Sequence, residues 1–390
     1  MDILLCGLAI TGRTETLEDY LKDKAGSLTV IVISSRFLQE NLSSCRIYNK
    51  GILQKEFKIP NFRIKDNKSY RQPLVLLFFI VNWIVMSWVI FKAKKKFDLC
   101  IGISQSFASW GAVLKKVGII KYLIYYCGDY YIPESTINFN NLFIKIISLA
   151  DRFITKNADY VWDVSPHFSE YREKIGRVAK GSYSDYVVPL GYSRSLRRFN
   201  QLEEGNRCDI GFVGTITANQ GLQLLVEAMP TLIKKLPSVR IKIIGHGPFS
   251  QGLKKMVSAH GLDSYFTFFG FIKEEDRMLD IISRCAIGVA LWDDSVNIIC
   301  TDTGKPKLYA FCGLPIIVTK ACTTYNEIQA AKAGIAINYN VDELEKAVLY
   351  LLTDEVRLKE FKRNSFNLGS SYMSDTIFDR IFQELSFNTR

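Results

Sequence analysis

Hydrophobic positions along this chain fall into short continuous blocks, bounded by glycine, proline and small polar residues. Between the blocks lie longer stretches with apolar residues at every third or fourth position. Blocks of the first kind read as strands buried on both faces, and the intervening stretches as helices. In the N-terminal half the strands read at 3–6, 28–34, 98–103, 122–127 and 160–164. Residues 165–171 then turn into a helix, and Val187-Val188-Pro189-Leu190-Gly191 forms a further strand and turn. The polar stretch 192–207, with Gly205-Asn206, reads as a linker. A second series follows, with strands at 209–213, 239–244, 266–269, 286–291, 315–318 and 335–337. Helices at 221–235, 249–260 and 275–284 separate the first of these, and more follow from 341 onward. This alternation predicts an α/β protein with two Rossmann-like, doubly wound domains of parallel strands, at 1–195 and 206–370. Residues 371–390 are expected to form a C-terminal helix crossing back to the first domain. Two such domains facing each other would leave a central cleft at the carboxyl ends of their strands.

Residues 74–91 interrupt this grammar. They form an apolar run broken only by Asn82 and Ser87, just long enough to span a bilayer, flanked by Arg71 and by Lys92, Lys94, Lys95 and Lys96. The strand at 98–103 follows at once. If the run spanned a membrane, that strand and strand 3–6 would lie on opposite sides and could not share a sheet. A crossover helix dipping into the membrane surface resolves the conflict, and the lysines with Trp83 and Trp88 suit an interfacial position. A fully buried helix and a true span are the alternatives.

Charge and cysteine usage narrow the partners. Fifty Lys and Arg against 39 Asp and Glu leave a formal charge of +11, which suits a phosphate-rich ligand or an anionic membrane surface. No Arg-Gly tail, zinc-finger spacing or compact basic helix is present, so nucleic acid is not expected as a partner. The nine cysteines include no C-x-x-C, and Met1 leads straight into the apolar run Ile3-Leu4-Leu5-Cys6 without a basic leader. Both point to a reducing, cytoplasmic setting, peripheral on the inner face of the cell membrane. With three histidines, no H-E-x-x-H and no D-x-D, neither a metal nor a cofactor is expected.

The segment Thr301-Asp302-Thr303-Gly304-Lys305-Pro306-Lys307, entering a short apolar helix that stops at Gly313-Leu314-Pro315, carries the chemistry. Helix-start N–H groups beside two lysines form a candidate anion site; a solvated helix N-terminus is the alternative. Further landmarks precede it: Asp209–Gly214 with Gly221–Ala228, then Ile243-Ile244-Gly245-His246-Gly247-Pro248, then Phe268-Phe269-Gly270-Phe271-Ile272. In this order the landmarks resemble the GT-B glycosyltransferases, and within them the retaining family 4 (group 1) enzymes. Tyr126–Tyr130 and Ala158–Ser165 resemble the polysaccharide-biosynthesis members of that group.

The resemblance implies a GT-B architecture and transfer of a sugar, with retention, from a nucleotide-sugar donor to an acceptor hydroxyl. The acceptor would be a glycan or lipid-linked glycan, met at the membrane surface that residues 74–96 touch. Donor contacts fall on Gly214, Thr215, Gly247, Gly270, Phe271, Thr303, Gly304, Lys305 and Lys307. The departures are equally specific. Thr215 and Gln220 stand where the family has the arginine and lysine that neutralise the diphosphate, and Cys300 and Leu308 replace its two glutamates. Lys305 and Lys307 would then supply the countercharge, and Asp302 would read the donor sugar unless it merely caps the helix. Asp129 is either a catalytic residue at the acceptor hydroxyl or a turn aspartate. Gly7 lies on the acceptor side or in a simple tight turn. His246 and Glu327 read as structural, and Asp293-Asp294 as a polar loop. A GT-B epimerase and a catalytically silent GT-B binding protein are the competing readings. A nicotinamide dehydrogenase lacks support, because no G-x-G-x-x-G follows a predicted strand.

Overall fold

The computed structural model describes residues 1–9, 13–34, 43–59, 73–131, 139–200, 207–293 and 302–387; for 73–78 and 139–143 only the backbone is described. The chain divides into two units, Met1–Gly191 with Phe378–Arg390, and Tyr192–Ile377.

The first unit is built on eight strands: β1 (Asp2–Leu8), β2 (Ser27–Ile33), β3 (Ser44–Asn49), β4 (Ile52–Lys58), β5 (Phe97–Ile103), β6 (Ile120–Cys127), β7 (Tyr160–Asp163) and β8 (Asp185–Val187). Their order is β4-β3-β2-β1-β5-β6-β7-β8. Strands β2, β1, β5, β6, β7 and β8 are parallel, as the alternation predicts, but β3 and β4 add an antiparallel hairpin at the edge. That corrects the expectation of a purely parallel sheet. The hairpin escaped sequence reading because β4 lies at the solvated edge, where nearly every residue is exposed and no buried apolar block forms. Its turn, Lys50-Gly51, has positive φ at both residues, the tight geometry that matches strand twist.

The helix Pro73–Ala93 packs on this sheet through Met86, Val89 and Ile90, in one cluster with Leu4, Ile31, Cys45 and Phe97. It leads into β5, which pairs with β1 at Ile3–Leu99. Since β4 before it and β5 after it share one sheet, the helix lies against the sheet. Among the described residues no helix is long and apolar enough to cross a membrane. The fully buried alternative also fails, because Ile80, Ile84, Trp88 and Phe91 are exposed.

The second unit has six parallel strands: β9 (Asp209–Val213), β10 (Arg240–Ile244), β11 (Phe266–Gly270), β12 (Ile287–Ala290), β13 (Ile316–Thr319) and β14 (Gly334–Ile337). Their order, β11-β10-β9-β12-β13-β14, is the doubly wound one, with the direction of winding reversing between β9 and β12. The two helices that follow, Val341–Leu352 and Glu355–Gly369, are started by local chemistry. The Asn340 side chain accepts from the Glu343 N–H at 3.0 Å, and Asp354 from the Arg357 N–H at 3.0 Å, satisfying donors that a helix start leaves unpaired.

Candidate active site

Three adjacent strands of the second unit end in a glycine with positive φ: Gly214 after β9, Gly245 after β10 and Gly270 closing β11. Their backbones are knit together. The Gly214 N–H donates to the Ile244 carbonyl at 3.0 Å, and the Gly245 N–H to the Gly270 carbonyl at 2.8 Å. A side chain at Gly245 would put its Cβ 1.9 Å from the Gly214 carbonyl oxygen, and one at Gly247 would sit 2.2 Å from that of Ile216. The G-x-G-P turn is thus tucked beneath the Gly214–Ile216 turn. Thr215, His246 and Phe271 stand exposed on this rim, Phe271 at 79%.

The sheet reverses direction beside this rim, and open α/β sheets bind ligands at that point. Gly221, at the start of the helix Leu222–Lys235, lies so close to the end of β12 that a Cβ would meet the Leu291 carbonyl oxygen at 1.8 Å. Lys305, in the first turn of the helix Gly304–Phe311, reaches across the same point. Its ammonium lies 4.8 Å from the Phe212 ring centroid and 4.4 Å from that of Trp292, and it donates to Gln220 Oε1. Its stem passes 3.2 Å from where a Gly214 Cβ would stand. Burial among these groups pushes the Lys305 ammonium down to about 7. Gln220 therefore does not simply lack a cation. Its carboxamide holds one delivered from another helix.

The other residues of the segment have different partners. Lys307 Nζ pairs with Asp302 Oδ2 at 2.5 Å, and both side chains are buried, at 1% and 4% exposure. The Lys307 ammonium also lies 5.3 Å from the Tyr372 ring centroid. Burial raises the nearby Glu327 carboxyl, against the lowering influence of Tyr372 and Lys307. Two residues expected to meet the donor, Lys307 at a phosphate and Asp302 at the sugar, are thus paired with each other here. Asp302 does not cap the helix. Thr303 holds that position without a side-chain capping bond, its hydroxyl instead 3.0 Å from Cys322 Sγ. The Gly304 carbonyl accepts from the Tyr192 hydroxyl at 3.1 Å, anchoring the helix start. Thr301, Cys300 and Asp294 lie outside the described residues.

In the first unit, Gly7 is buried, and a Cβ there would meet Thr14 Oγ1 at 2.2 Å. Its glycine makes room for Thr14, and it lies within β1 rather than in a tight turn. Asp129, just past β6, is half-exposed. Its main-chain carbonyl accepts from Gln105 Nε2 at 3.2 Å, and its carboxylate lies 3.9 Å from Arg13. Arg13 also donates to the Gly128 carbonyl at 3.3 Å, and a Cβ at Gly128 would collide with its guanidinium. Sequence reading missed Arg13; its place at the start of the first helix after β1 was the available signal. Ser104, ending β5, is a non-glycine residue at φ 76, ψ 163, a conformation normally reserved for glycine and concentrated at functional sites. Nearby, Arg172 is fully buried and pairs with Asp151 at 2.9 Å and with Asp163. Burial pushes the Asp163 carboxyl up to about 6, although Arg172 pulls it down. That explains Asp163 in the Ala158–Ser165 landmark as a structural anchor. Among the described residues no three His, Cys, Asp or Glu side chains gather as metal ligands.

Solved structures of similar fold include sucrose-phosphate synthase from Thermosynechococcus elongatus (TM-score 0.68, 14% identity, 98% of each chain). Another is Alr3699/HepE of Anabaena in complex with UDP (TM-score 0.64, 15% identity, 98% of this chain and 99% of that one). The fold is thus that of the GT-B glycosyltransferases. Residues 207–354, within the second unit, match the family described as glycosyl transferases group 1. A curated relative is the GDP-mannose-dependent alpha-(1-6)-phosphatidylinositol monomannoside mannosyltransferase of Mycolicibacterium smegmatis. It is 24% identical over 55% of this chain and 58% of its own length. A Corynebacterium glutamicum enzyme, named as acting on the monoacylated form, is 21% identical over 50% and 54%. The matched region spans little more than half the length of these relatives.

Proposed function

We propose that this protein is a glycosyltransferase that moves a sugar from a nucleotide-sugar donor to a hydroxyl of a glycan or lipid-linked glycan. The observation that carries the reading is Lys305, poised at the reversal point of the second sheet beside the glycine rim. A nucleoside diphosphate lying there would meet the Lys305 ammonium and the main-chain N–H and hydroxyl of Thr215, the Gly214 N–H being taken by the Ile244 carbonyl. These donors stabilise the charge that grows on the diphosphate as the glycosidic bond breaks. The same countercharge supports a reaction without a metal ion, with retention of configuration as the family resemblance implies. Asp129, steadied by Gln105 and close to Arg13, is the candidate to orient the acceptor hydroxyl. The phosphatidylinositol-based acceptors in the relatives' names support a lipid-linked acceptor. The exposed apolar residues and lysines of 74–96 support meeting it at a membrane surface, proposed as the inner face of the cell membrane.

Calorimetry with GDP-mannose and UDP-glucose tests the donor site. Wild type should bind one of them, and Lys305→Glu should weaken that binding by at least about a hundredfold. Equal affinity in both proteins would sink the assignment. Turnover on extracted membrane lipids, with and without a chelator, should release nucleoside diphosphate and form a glycolipid. A rearranged nucleotide sugar formed without acceptor would point to the epimerase instead.

A further inference from the structure

Two elements of the first unit that are distant in sequence present one mixed apolar and cationic face. On the helix Pro73–Ala93 the exposed residues Ile80, Ile84, Trp88 and Phe91 recur at helical spacing and form a single stripe, with Phe91 at 78% exposure. The β3–β4 hairpin adjoins that stripe. Phe57 meets Trp88 edge to face, with centroids 5.6 Å apart. The hairpin register places further residues on the same side. Cys45 pairs with Phe57, Ile47 with Lys55 and Asn49 with Ile52, and Cys45 and Ile47 pack in the same cluster as Met86 and Val89 of the helix. The irregularity at Ile47/Tyr48 turns Ile52, 67% exposed, towards this side. Glu56 lies on the other side, 3.9 Å from Arg46.

The charges around the stripe identify its occupant. Lys50, Lys55, Lys92, Lys94 and Lys96 are exposed around it, and the Lys92 ammonium sits 4.3 Å from the Trp88 ring centroid. Protein–protein interfaces are depleted in lysine. An apolar stripe with tryptophan and a lysine border is instead the composition that anionic bilayer surfaces attract. Both elements carry cationic residues to the same end of the sheet, since Asn49 pairs with Ser27 at the start of β2, and Phe91–Lys96 lead into the start of β5, parallel to it.

We propose that the β3–β4 hairpin is a second membrane anchor. Its Ile52 and Lys55 would enter the headgroup region of an anionic bilayer alongside Ile84, Trp88 and Phe91. The inference rests on the proposal that residues 74–96 face a membrane and extends it to an element that reading did not include.

The test is flotation of the full-length protein with vesicles of phosphatidylcholine alone or mixed with phosphatidylglycerol. Wild type should float with the anionic vesicles and be released by high salt. Ile52→Glu should reduce binding about tenfold and Lys55→Gln about fivefold, while Val356→Glu, at an exposed site in the second unit, should leave it unchanged. Unaltered thermal unfolding establishes that each variant is folded. If Ile52→Glu floats like wild type while Phe91→Glu does not, the helix acts alone and the hairpin proposal falls. If neither variant differs from wild type, the membrane reading falls with it. If wild type ignores vesicles but self-associates through Ile52, the face is a protein interface. Donor binding measured without lipid reports on the glycosyltransferase reading separately.

Discussion

Lys305 is fully cationic only below its own pKa, which burial lowers to about 7. The diphosphate of a nucleotide sugar does not titrate near neutrality, and its negative charge beside the ammonium would raise the lysine's pKa in the complex. Binding therefore takes up a proton above about pH 7. Donor affinity should be highest below that value and weaken as pH rises, by up to about tenfold per unit, until the higher pKa of the complex is passed. Lys305→Arg, which stays charged, should flatten the profile measured by calorimetry; a flat wild-type profile would contradict this account. The Asp302–Lys307 pair makes the opposite prediction. Removing one partner strands a buried charge, so Asp302→Ala should cost about 3–5 kcal/mol of stability in denaturant titration. Lys305→Ala should cost far less. Both lysines are equally visible in the sequence as a helix-start cluster. Which of them is free to meet a ligand depends on Asp302 folding back onto Lys307, and on Gln220 and Trp292 arriving from elsewhere to hold Lys305.

Glycines at strand ends were the most legible elements, because a positive φ or a close backbone approach leaves a single residue type to choose. Gly221 combines both constraints: φ is +68 and the Leu291 carbonyl fills the space a Cβ would need. Gly261 has a similar φ of +65 but open space around it. Gly221→Ala should therefore destabilise the second unit by about 2–3 kcal/mol, and Gly261→Ala by about 1 kcal/mol. Equal losses in chemical denaturation would show that packing against Leu291 matters little. Buried parallel strands were also legible, since burial on both faces demands a continuous apolar block. The β3–β4 hairpin was not, because an edge strand needs no such block. Gly7 shows the limit of reading a glycine by type alone. The close approach is real, but the neighbour is Thr14.

At the scale of the whole molecule, the last residues, Phe378–Arg390, belong to the first unit although the chain enters them from the second. Phe378 and Phe382 pack against Tyr20 and Trp162, with Phe378 centroids 5.2 Å from Tyr20 and 6.4 Å from Trp162. Phe378→Ala should cost about 3–5 kcal/mol. In scanning calorimetry the transition of the first unit should fall, while the transition that a bound nucleotide sugar raises should stay in place. A uniform fall of both would mean that the units unfold as one. Two alternating α/β series and the order of the glycine turns were determined by the sequence by itself, because each depends on local periodicity and backbone freedom. Residues 192–200, read as part of a linker, instead belong to the second unit, where Tyr192 and Arg197 bond to Gly304 and Phe366. The β3–β4 hairpin, which sets Phe57 against Trp88 of the helix Pro73–Ala93, was decided by tertiary structure. So were the pairing of Asp302 with Lys307 and the convergence of Gln220, Phe212 and Trp292 on Lys305. These are contacts between residues far apart in the chain. No local pattern encodes which partner a buried charge will find.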